Sequence, residues 1–137
     1  MQNRRVMMNI NGHDGEPKEV TTGLPQDSPV SPVLFGIYIS EVHVAIQSKV
    51  PETAGISFVD DVTWFATGTN VNAIRERLEM CARESILWGE RNAVRFEKSK
   101  TEALLLSKKR GIREERGVEV EGKVFPFARK ATRWLGV

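Results

Sequence analysis

Two adjacent aspartates, Asp60 and Asp61, interrupt an otherwise apolar stretch of the chain. Residues 55–59 before them and 62–66 after them have the β-branched and aromatic composition of strands. Aspartate is a poor strand former and a common turn residue. The pattern therefore predicts a tight β-hairpin with two carboxylates at its tip. Because neighbouring strand residues face opposite sides, Asp60 is the better placed of the two to act as a direct ligand.

A helix is predicted on each side of this hairpin. Apolar residues recur at helical spacing between residues 33 and 46, after a proline-rich segment. In that segment Ser28 is a candidate cap, and Pro29 or Pro32 fits the first turn, where no backbone N–H is missed. Asn70 is a candidate cap for the second helix, which extends to about residue 91.

The rest of the chain is rich in short strand patterns. Residues 4–10 and 18–22 flank Asn-Gly and Asp-Gly turn pairs, which predicts another hairpin. Further strand candidates are residues 94–96, 101–106, 118–120, 124–127 and 134–137, with a charged loop at 111–117. This order of elements predicts an α+β fold in which an antiparallel sheet carries two helices packed on one face and leaves the other face open to a ligand.

Composition limits the class of protein. A chain of 137 residues with 40% hydrophobic residues fits one domain with a modest core. Its net charge of +2 gives only weak support to nucleic-acid binding. Cys81 is the only cysteine, which excludes an internal disulfide and a cysteine-rich zinc site. Without a signal-peptide pattern or a long apolar run, the chain is expected to be soluble and intracellular and to have no membrane partner.

The two carboxylates are a candidate metal site. At a separation of about 4 Å, two like charges repel by roughly 4 kcal/mol at an effective dielectric constant near 20, and a divalent cation would remove that penalty. Mg²⁺ prefers hard oxygen ligands, commonly one or two carboxylates together with water and phosphate oxygens. A pair of such ions can activate a hydroxyl group and stabilise the leaving oxygen of a phosphoryl transfer. The pair alone leaves open that both aspartates are ordinary turn residues.

Four segments together resemble the motifs of reverse transcriptases from LINE-like (non-LTR) retrotransposons. Residues 23–32, Gly-Leu-Pro-Gln-Asp-Ser-Pro-Val-Ser-Pro, resemble the family's Gly-Leu-Pro-Gln-Gly-Ser-Pro-x-Ser-Pro motif. Residues 58–61, Phe-Val-Asp-Asp, are similar to its aromatic-x-Asp-Asp box. Residues 96–102 resemble the following segment with its Lys-Thr-Glu, and residues 132–137 the start of the next block. The order and spacing agree, so the resemblance covers nearly the whole chain.

The resemblance implies an RNA-directed DNA polymerase with a polymerase palm-like fold. Such an enzyme uses two Mg²⁺ ions to join deoxynucleoside triphosphates to the 3′-hydroxyl of a DNA primer on an RNA template. By resemblance, Asp60 and Asp61 would be catalytic and metal-binding, and Lys100, or Lys98 beside it, would lie near the leaving pyrophosphate. The nucleotide and template pocket would include Gly23, Leu24, Pro25, Gln26 and Phe58.

The same resemblance divides the chain into a fingers-side hairpin at residues 1–22, the palm at 23–110 and a β-rich segment at 111–137. The family requires another catalytic aspartate on a strand before the Gly-Leu-Pro-Gln motif, and Asp14 lies too close to Gly23 to serve. We therefore expect a reverse transcriptase domain that is truncated at both ends and inactive alone. Asp27 stands where the family has glycine, and we expect its negative charge to weaken nucleotide binding.

Two other functions stay open at this point. One is a non-catalytic module that binds single-stranded nucleic acid on the open sheet face. The other is a decayed retrotransposon remnant without a function of its own. Salt-dependent binding that Mg²⁺ does not affect would favour the first, and a lack of cooperative unfolding would favour the second.

Overall fold

The computed structural model of the chain describes residues 4–20, 23, 28–107 and 116–128. Within these residues the chain forms two α-helices, one 3₁₀ helix and ten short strands. In chain order the elements are β1 (Arg4–Val6), β2 (Asn9–Ile10), β3 (His13–Asp14), β4 (Lys18–Val20), α1 (Ser31–Gln47), β5 (Thr53–Phe58), β6 (Asp61–Ala66), α2 (Val71–Arg91), the 3₁₀ helix (Lys98–Lys100), β7 (Ala103–Leu104), β8 (Val118–Val120), β9 (Lys123–Phe125) and β10 (Phe127–Ala128).

The strands of the described residues pair two by two. β1 pairs with β4, β2 with β3, β5 with β6 and β8 with β9, all antiparallel, whereas β7 and β10 pair in parallel. The predicted α+β fold with antiparallel strands is confirmed. The described strands form five separate two-stranded sheets instead of one larger sheet. The two-stranded sheet that carries both helices is the β5–β6 hairpin.

α1 begins with Pro32 in its first turn, as expected for a residue that lacks a backbone N–H. The prediction that Ser28 caps this helix is wrong, because the N-cap is Val30 and no side chain caps it. Ser28 Oγ instead accepts a long hydrogen bond, 3.4 Å, from the Val30 N–H in the turn before the helix. No helix among the described residues is both long and apolar enough to cross a bilayer.

α2 is capped as predicted. The Asn70 side chain accepts hydrogen bonds from the backbone N–H groups of Asn72 and Ala73, at 3.0 and 3.4 Å. Ala93, two residues after the end of α2, is left-handed with a φ of 53°. The Val94 N–H then returns to the Gly89 carbonyl at 2.9 Å, so residues 94–96 follow the helix end and do not form the predicted strand.

The main core lies where both helices cover one face of the β5–β6 hairpin. Its buried residues are at most 2% exposed and come from α1, the turn after it and α2: Ile39, Val42, Ile46, Val50 and Cys81. Val62 and Trp64 of β6 pack against them. Burying one aliphatic side chain of this kind stabilises a fold by about 1.5–3 kcal/mol, so this cluster fixes the hairpin on the helices. Cys81 is therefore a core residue, and the expectation that two helices share one face of the sheet is confirmed.

A second, smaller cluster joins α2 to the β8–β9 hairpin. Its buried residues are Ala103, Val118, Val120 and Phe125, and Leu78, Ala82 and Ile86 of α2 pack against them. The Glu79 carboxylate accepts a hydrogen bond from the Glu119 backbone N–H at 2.9 Å, which ties β8 to the helix. The α2 helix therefore packs against two different hairpins.

Candidate metal and nucleotide site

The tip of the β5–β6 hairpin is a two-residue turn made by Val59 and Asp60. Phe58 and Asp61 form the strand pair next to it. Val59 has a φ of 53°, in the left-handed region that β-branched residues rarely adopt. A positive φ at the first turn residue lets the turn follow the right-handed twist of the two strands. The predicted hairpin is confirmed, with Asp60 in the turn and Asp61 at the start of β6.

Asp60 and Asp61 are both exposed. In the part of the chain that the structure describes, neither carboxylate has a hydrogen-bond or ion-pair partner. Adjacent carboxylate oxygens without a protein partner suit a hard cation such as Mg²⁺. The described residues contain no cluster of three His, Cys, Asp or Glu side chains that could hold a metal ion. Asp60 and Asp61 could therefore share an ion with water, substrate oxygens or ligands from elsewhere.

The hairpin face that points away from the helices is apolar and open in the described residues. Ile56, Phe58 and Phe65 are 48%, 58% and 42% exposed on this face. Phe58 reaches the surface beside Asp61, its partner on the other strand. The sequence did not predict Phe65 as a site residue. The alternation of residues along β6 could have placed it on the same face as Phe58. This face therefore exposes two aromatic rings, Phe65 near the base of the hairpin and Phe58 next to the carboxylate tip.

The two candidate lysines have different surroundings. Both lie in the 3₁₀ helix, which Glu97 caps by accepting hydrogen bonds from the Ser99 hydroxyl and N–H at 2.6 and 3.2 Å. These hydrogen bonds lower the pKa of Glu97. Lys98 forms an ion pair with Glu121 of the β8–β9 turn. Lys100 is exposed, and no hydrogen bond or ion pair within the described ranges joins it to Asp60 or Asp61. Its place beside a pyrophosphate stays a prediction.

Of the predicted nucleotide and template residues, the structure describes Gly23 and Phe58. Leu24, Pro25 and Gln26 lie outside the described residues, as does Asp27. Gly23 is exposed and has a φ of 78°. A Cβ at this position would meet no atom of the described residues within 4 Å. Its positive φ is the reason in the described structure that glycine suits this position.

The base of the same hairpin contains an arrangement that the sequence did not predict. His43 of α1 packs edge-on against Trp64 of β6, with ring centroids 5.2 Å apart. The Trp64 indole N–H donates a hydrogen bond to Ser85 Oγ of α2 at 2.9 Å. One aromatic side chain of the hairpin is thus held by both helices. The only signal in the sequence was Gly55, because glycine inside a strand often marks a close approach of another group.

A family model described as reverse transcriptase (RNA-dependent DNA polymerase) matches residues 2–137. No curated protein and no solved structure is significantly similar to the chain. Because the match covers almost the whole chain, the chain belongs to the reverse transcriptase family. Enzymes of this family use divalent metal ions, a nucleic-acid template and nucleotide substrates. The resemblance found in the sequence is confirmed at the level of the family.

Proposed function

We propose that this chain forms part of the palm of a LINE-like (non-LTR) retrotransposon reverse transcriptase, in which Asp60 and Asp61 bind catalytic Mg²⁺. The observation that carries the proposal is the hairpin tip. It presents two exposed carboxylates, without a partner among the described residues, on a hairpin that two helices hold. The four motif resemblances in their order support the LINE-like subtype.

The donor set at the tip fits Mg²⁺. Both side chains offer hard oxygen atoms, and Mg²⁺ commonly takes one or two carboxylates and fills its other positions with water and phosphate oxygens. When bound, a pair of such ions neutralises phosphate charge and promotes attack by the primer 3′-hydroxyl. The short turn, strand-paired on both sides, holds the backbone of Asp60 and Asp61 in place. Phosphoryl transfer depends on such positioning more than on covalent participation of the protein.

The other residues of the proposed site orient the substrates. Phe58 offers an exposed ring next to the tip for a base or sugar of the primer or the nucleotide. Lys100 provides a cation near the leaving pyrophosphate, as a counter-charge or a proton donor. The nucleotide and template pocket includes the motif residues Gly23, Leu24, Pro25 and Gln26. The partners are then an RNA template, a DNA primer and deoxynucleoside triphosphates.

The complete metal site needs one more carboxylate under this proposal. The family pattern places that aspartate on a strand before the Gly-Leu-Pro-Gln motif, and we propose that it comes from outside the described residues. We propose that the chain is inactive without that carboxylate, because the tip alone supplies only two of the required ligands. Residues 1–22 serve as a fingers-side hairpin, 23–110 as the palm and 111–137 as the β-rich segment that follows it.

Primer extension on an RNA template with Mg²⁺ tests the proposal, using the chain alone and a version extended upstream. We expect extension only from the longer version. Asp60→Asn in that version should reduce the rate on the order of 100-fold or more, comparable with the loss of another electrostatic stabiliser of a transition state. Asp14→Asn, at an exposed aspartate of β3, is the matched control and should leave the rate unchanged. Extension that survives Asp60→Asn would refute the assignment.

A non-catalytic nucleic-acid-binding module is the second candidate, and the open hairpin face favours it. Phe58 and Phe65 expose two rings on one face, and aromatic rings stack on nucleic-acid bases without sequence preference. Under this alternative, single-stranded RNA or DNA binds with or without Mg²⁺, and Phe58→Ala and Phe65→Ala weaken binding equally. Binding that requires Mg²⁺ and is lost in Asp60→Asn would favour the polymerase site.

A further inference from the structure

His43 lies between α1 and the β5–β6 hairpin with both ring nitrogens shielded from solvent. Neither Nδ1 nor Nε2 has a hydrogen-bond partner among the described residues. The ring instead packs on the Trp64 indole at an interplanar angle of 62°. Most buried polar side chains are hydrogen-bonded, because burying one without a partner costs free energy. A neutral imidazole can be buried in this position at a modest cost in free energy, whereas burial of a charged imidazolium would cost much more.

The contact leaves no space for a side chain on the facing strand. Gly55 of β5 lies beneath the imidazole, at the strand pair that it forms with Trp64. A Cβ at position 55 would lie 2.7 Å from Trp64 Cζ3 and closer still to His43 Nδ1. The imidazole therefore rests directly on the backbone of the hairpin.

This contact is where α1, the hairpin and α2 meet. Ser85 of α2 accepts the Trp64 indole N–H and donates its own hydroxyl to the Cys81 carbonyl at 2.8 Å. From the Gly55–Trp64 pair, three more strand pairs lead to the tip, and the last of them is Phe58 with Asp61. A movement of the hairpin at its base would therefore displace both tip carboxylates.

Among the described residues, no charged side chain forms a hydrogen bond or ion pair with His43 that would stabilise a proton on its ring. β5 has no ionisable residue, and the only one in β6 is Asp61 at the far end of the hairpin. The other ionisable residues of α1 are Tyr38 and Glu41. The ion pairs Lys49–Glu84 and Arg77–Glu52 join the turn after α1 to α2. The remaining ionisable residues of α2 are Arg75, Glu76, Glu79, Cys81, Arg83, Glu90 and Arg91. Burial is the sole cause that shifts the pKa of His43, and it lowers that pKa. The ring is therefore neutral at neutral pH.

We propose that His43 is a positioning residue for the carboxylate tip: its neutral ring seats the hairpin on α1, and protonation of the ring releases the hairpin. This role rests on the proposed function, because it concerns the position of the proposed metal ligands. An imidazolium must leave the contact with Trp64 and Gly55 to reach water or a counter-charge. The hairpin then loses a contact with α1, and Asp60 and Asp61 lose the fixed position that metal binding requires.

The direction of the pH effect follows from linkage. The unfolded chain takes up the proton near pH 6.5, and the folded chain takes it up at a lower pH. The contribution of the neutral ring is fully present above about pH 6.5 and decreases as the pH falls toward the folded pKa. Within that window each pH unit lowers the folding equilibrium constant by up to about tenfold.

An NMR titration of the full chain from about pH 8 to pH 5 tests the role of His43. The signals to follow are the His43 imidazole, the Gly55 amide and the Trp64 indole N–H. We expect all three to shift with one midpoint below about pH 6.5. His43→Phe should abolish the shifts at Gly55 and Trp64, and His13→Phe, at the exposed histidine of β3, should retain them. Shifts that persist in His43→Phe, or that are absent while His43 titrates, would overturn the proposal.

A second variant and a metal probe keep the test decisive. If His43→Phe does not fold, His43→Gln replaces the ring by a neutral side chain that cannot titrate, and the same outcomes apply. Mn²⁺ should broaden the amide signals of Asp60 and Asp61. In the natural chain, Mn²⁺ should bind more weakly at pH values below the midpoint of the His43 titration, and the His43 variants should not show this decrease. If Mn²⁺ broadens neither signal at any pH, the proposed metal site fails, whereas the Gly55 and Trp64 signals still decide the role of His43.

Discussion

The β5–β6 hairpin has two ends of opposite character. At its base, Gly55 and Trp64 lie against two helices, where a single added methyl group would collide with its neighbours. At its tip, Phe58 is largely exposed and two carboxylates have no partner within the described residues. The apolar end anchors the hairpin on the helices, and under the proposed function the charged end binds the metal ions. Stability and the proposed chemistry therefore lie at opposite ends of the same two strands.

The largest expected effect on stability is at the anchored end. Ile46 is 1% exposed in the core beneath the hairpin, so Ile46→Ala should lower the free energy of unfolding by about 2–5 kcal/mol through lost burial and a cavity. Val44, two residues away on the same helix, is 72% exposed. Val44→Ala should therefore change the free energy of unfolding by no more than about 0.5 kcal/mol. Urea denaturation measures both, and equal losses would contradict the burial of this helix face.

Gly55→Ala tests the close contact at the base. The new methyl group would collide with His43 and Trp64, and overpacking of this kind costs about 1–3 kcal/mol. At Gly36 in α1, an added Cβ would have no atom of the described ranges within 4 Å. Gly36→Ala should therefore raise the free energy of unfolding by up to about 1 kcal/mol, since alanine favours a helix. A stabilising Gly55→Ala in thermal or urea unfolding would show that the base is not tightly packed.

At the tip, Val59→Gly should raise the free energy of unfolding, whereas Gly55→Ala lowers it at the base. Glycine relieves a left-handed conformation that costs a β-branched residue about 1–3 kcal/mol, but it adds about 0.5–1 kcal/mol of unfolded-state entropy. A net gain of about 1 kcal/mol is expected in urea unfolding. Ser57→Gly, at a β5 residue without a positive φ, should lose about 0.5–1 kcal/mol. Equal losses in both variants would indicate that the turn is unstrained.

The smallest expected effect is that of Asp60→Asn on the stability of the chain. Removing one of two adjacent exposed charges should raise the free energy of unfolding by less than about 1 kcal/mol at low salt. At about 1 M salt the Debye length is roughly 3 Å, and the gain should disappear. The loss caused by Gly55→Ala is steric and should be the same at both salt concentrations. A salt-independent gain in Asp60→Asn would mean that charge repulsion is not its cause.

Local patterns in the sequence predicted the elements whose causes are local. The Asn70 cap needs only the two N–H groups that follow it, and the hairpin tip needs only a turn between two strand-forming segments. Residues 94–96 have a strand-like composition, but the left-handed Ala93 and the hydrogen bond from Val94 to Gly89 decide their conformation. Such a backbone reversal leaves no periodic pattern to detect.

The candidate site divides in the same way. Asp60 and Asp61 are neighbours in sequence, so their proximity could be read directly from it. The contact of His43 with Gly55 and Trp64 depends on how α1 lies across the hairpin, which no short motif encodes. The sequence also left Lys98 and Lys100 as alternatives, and only the approach of Glu121 from a distant turn separates their surroundings.

The hydrogen bond from Trp64 to Ser85 provides a site at which hydrogen exchange can report the separation of the hairpin from α2. An indole proton held between a strand and a helix exchanges with deuterium only when the two separate. Its exchange rate therefore reports how often the hairpin detaches from α2, whereas backbone amides at the exposed tip exchange by small local openings. The exchange of this one proton would thus measure how often this layer opens, without any attached label.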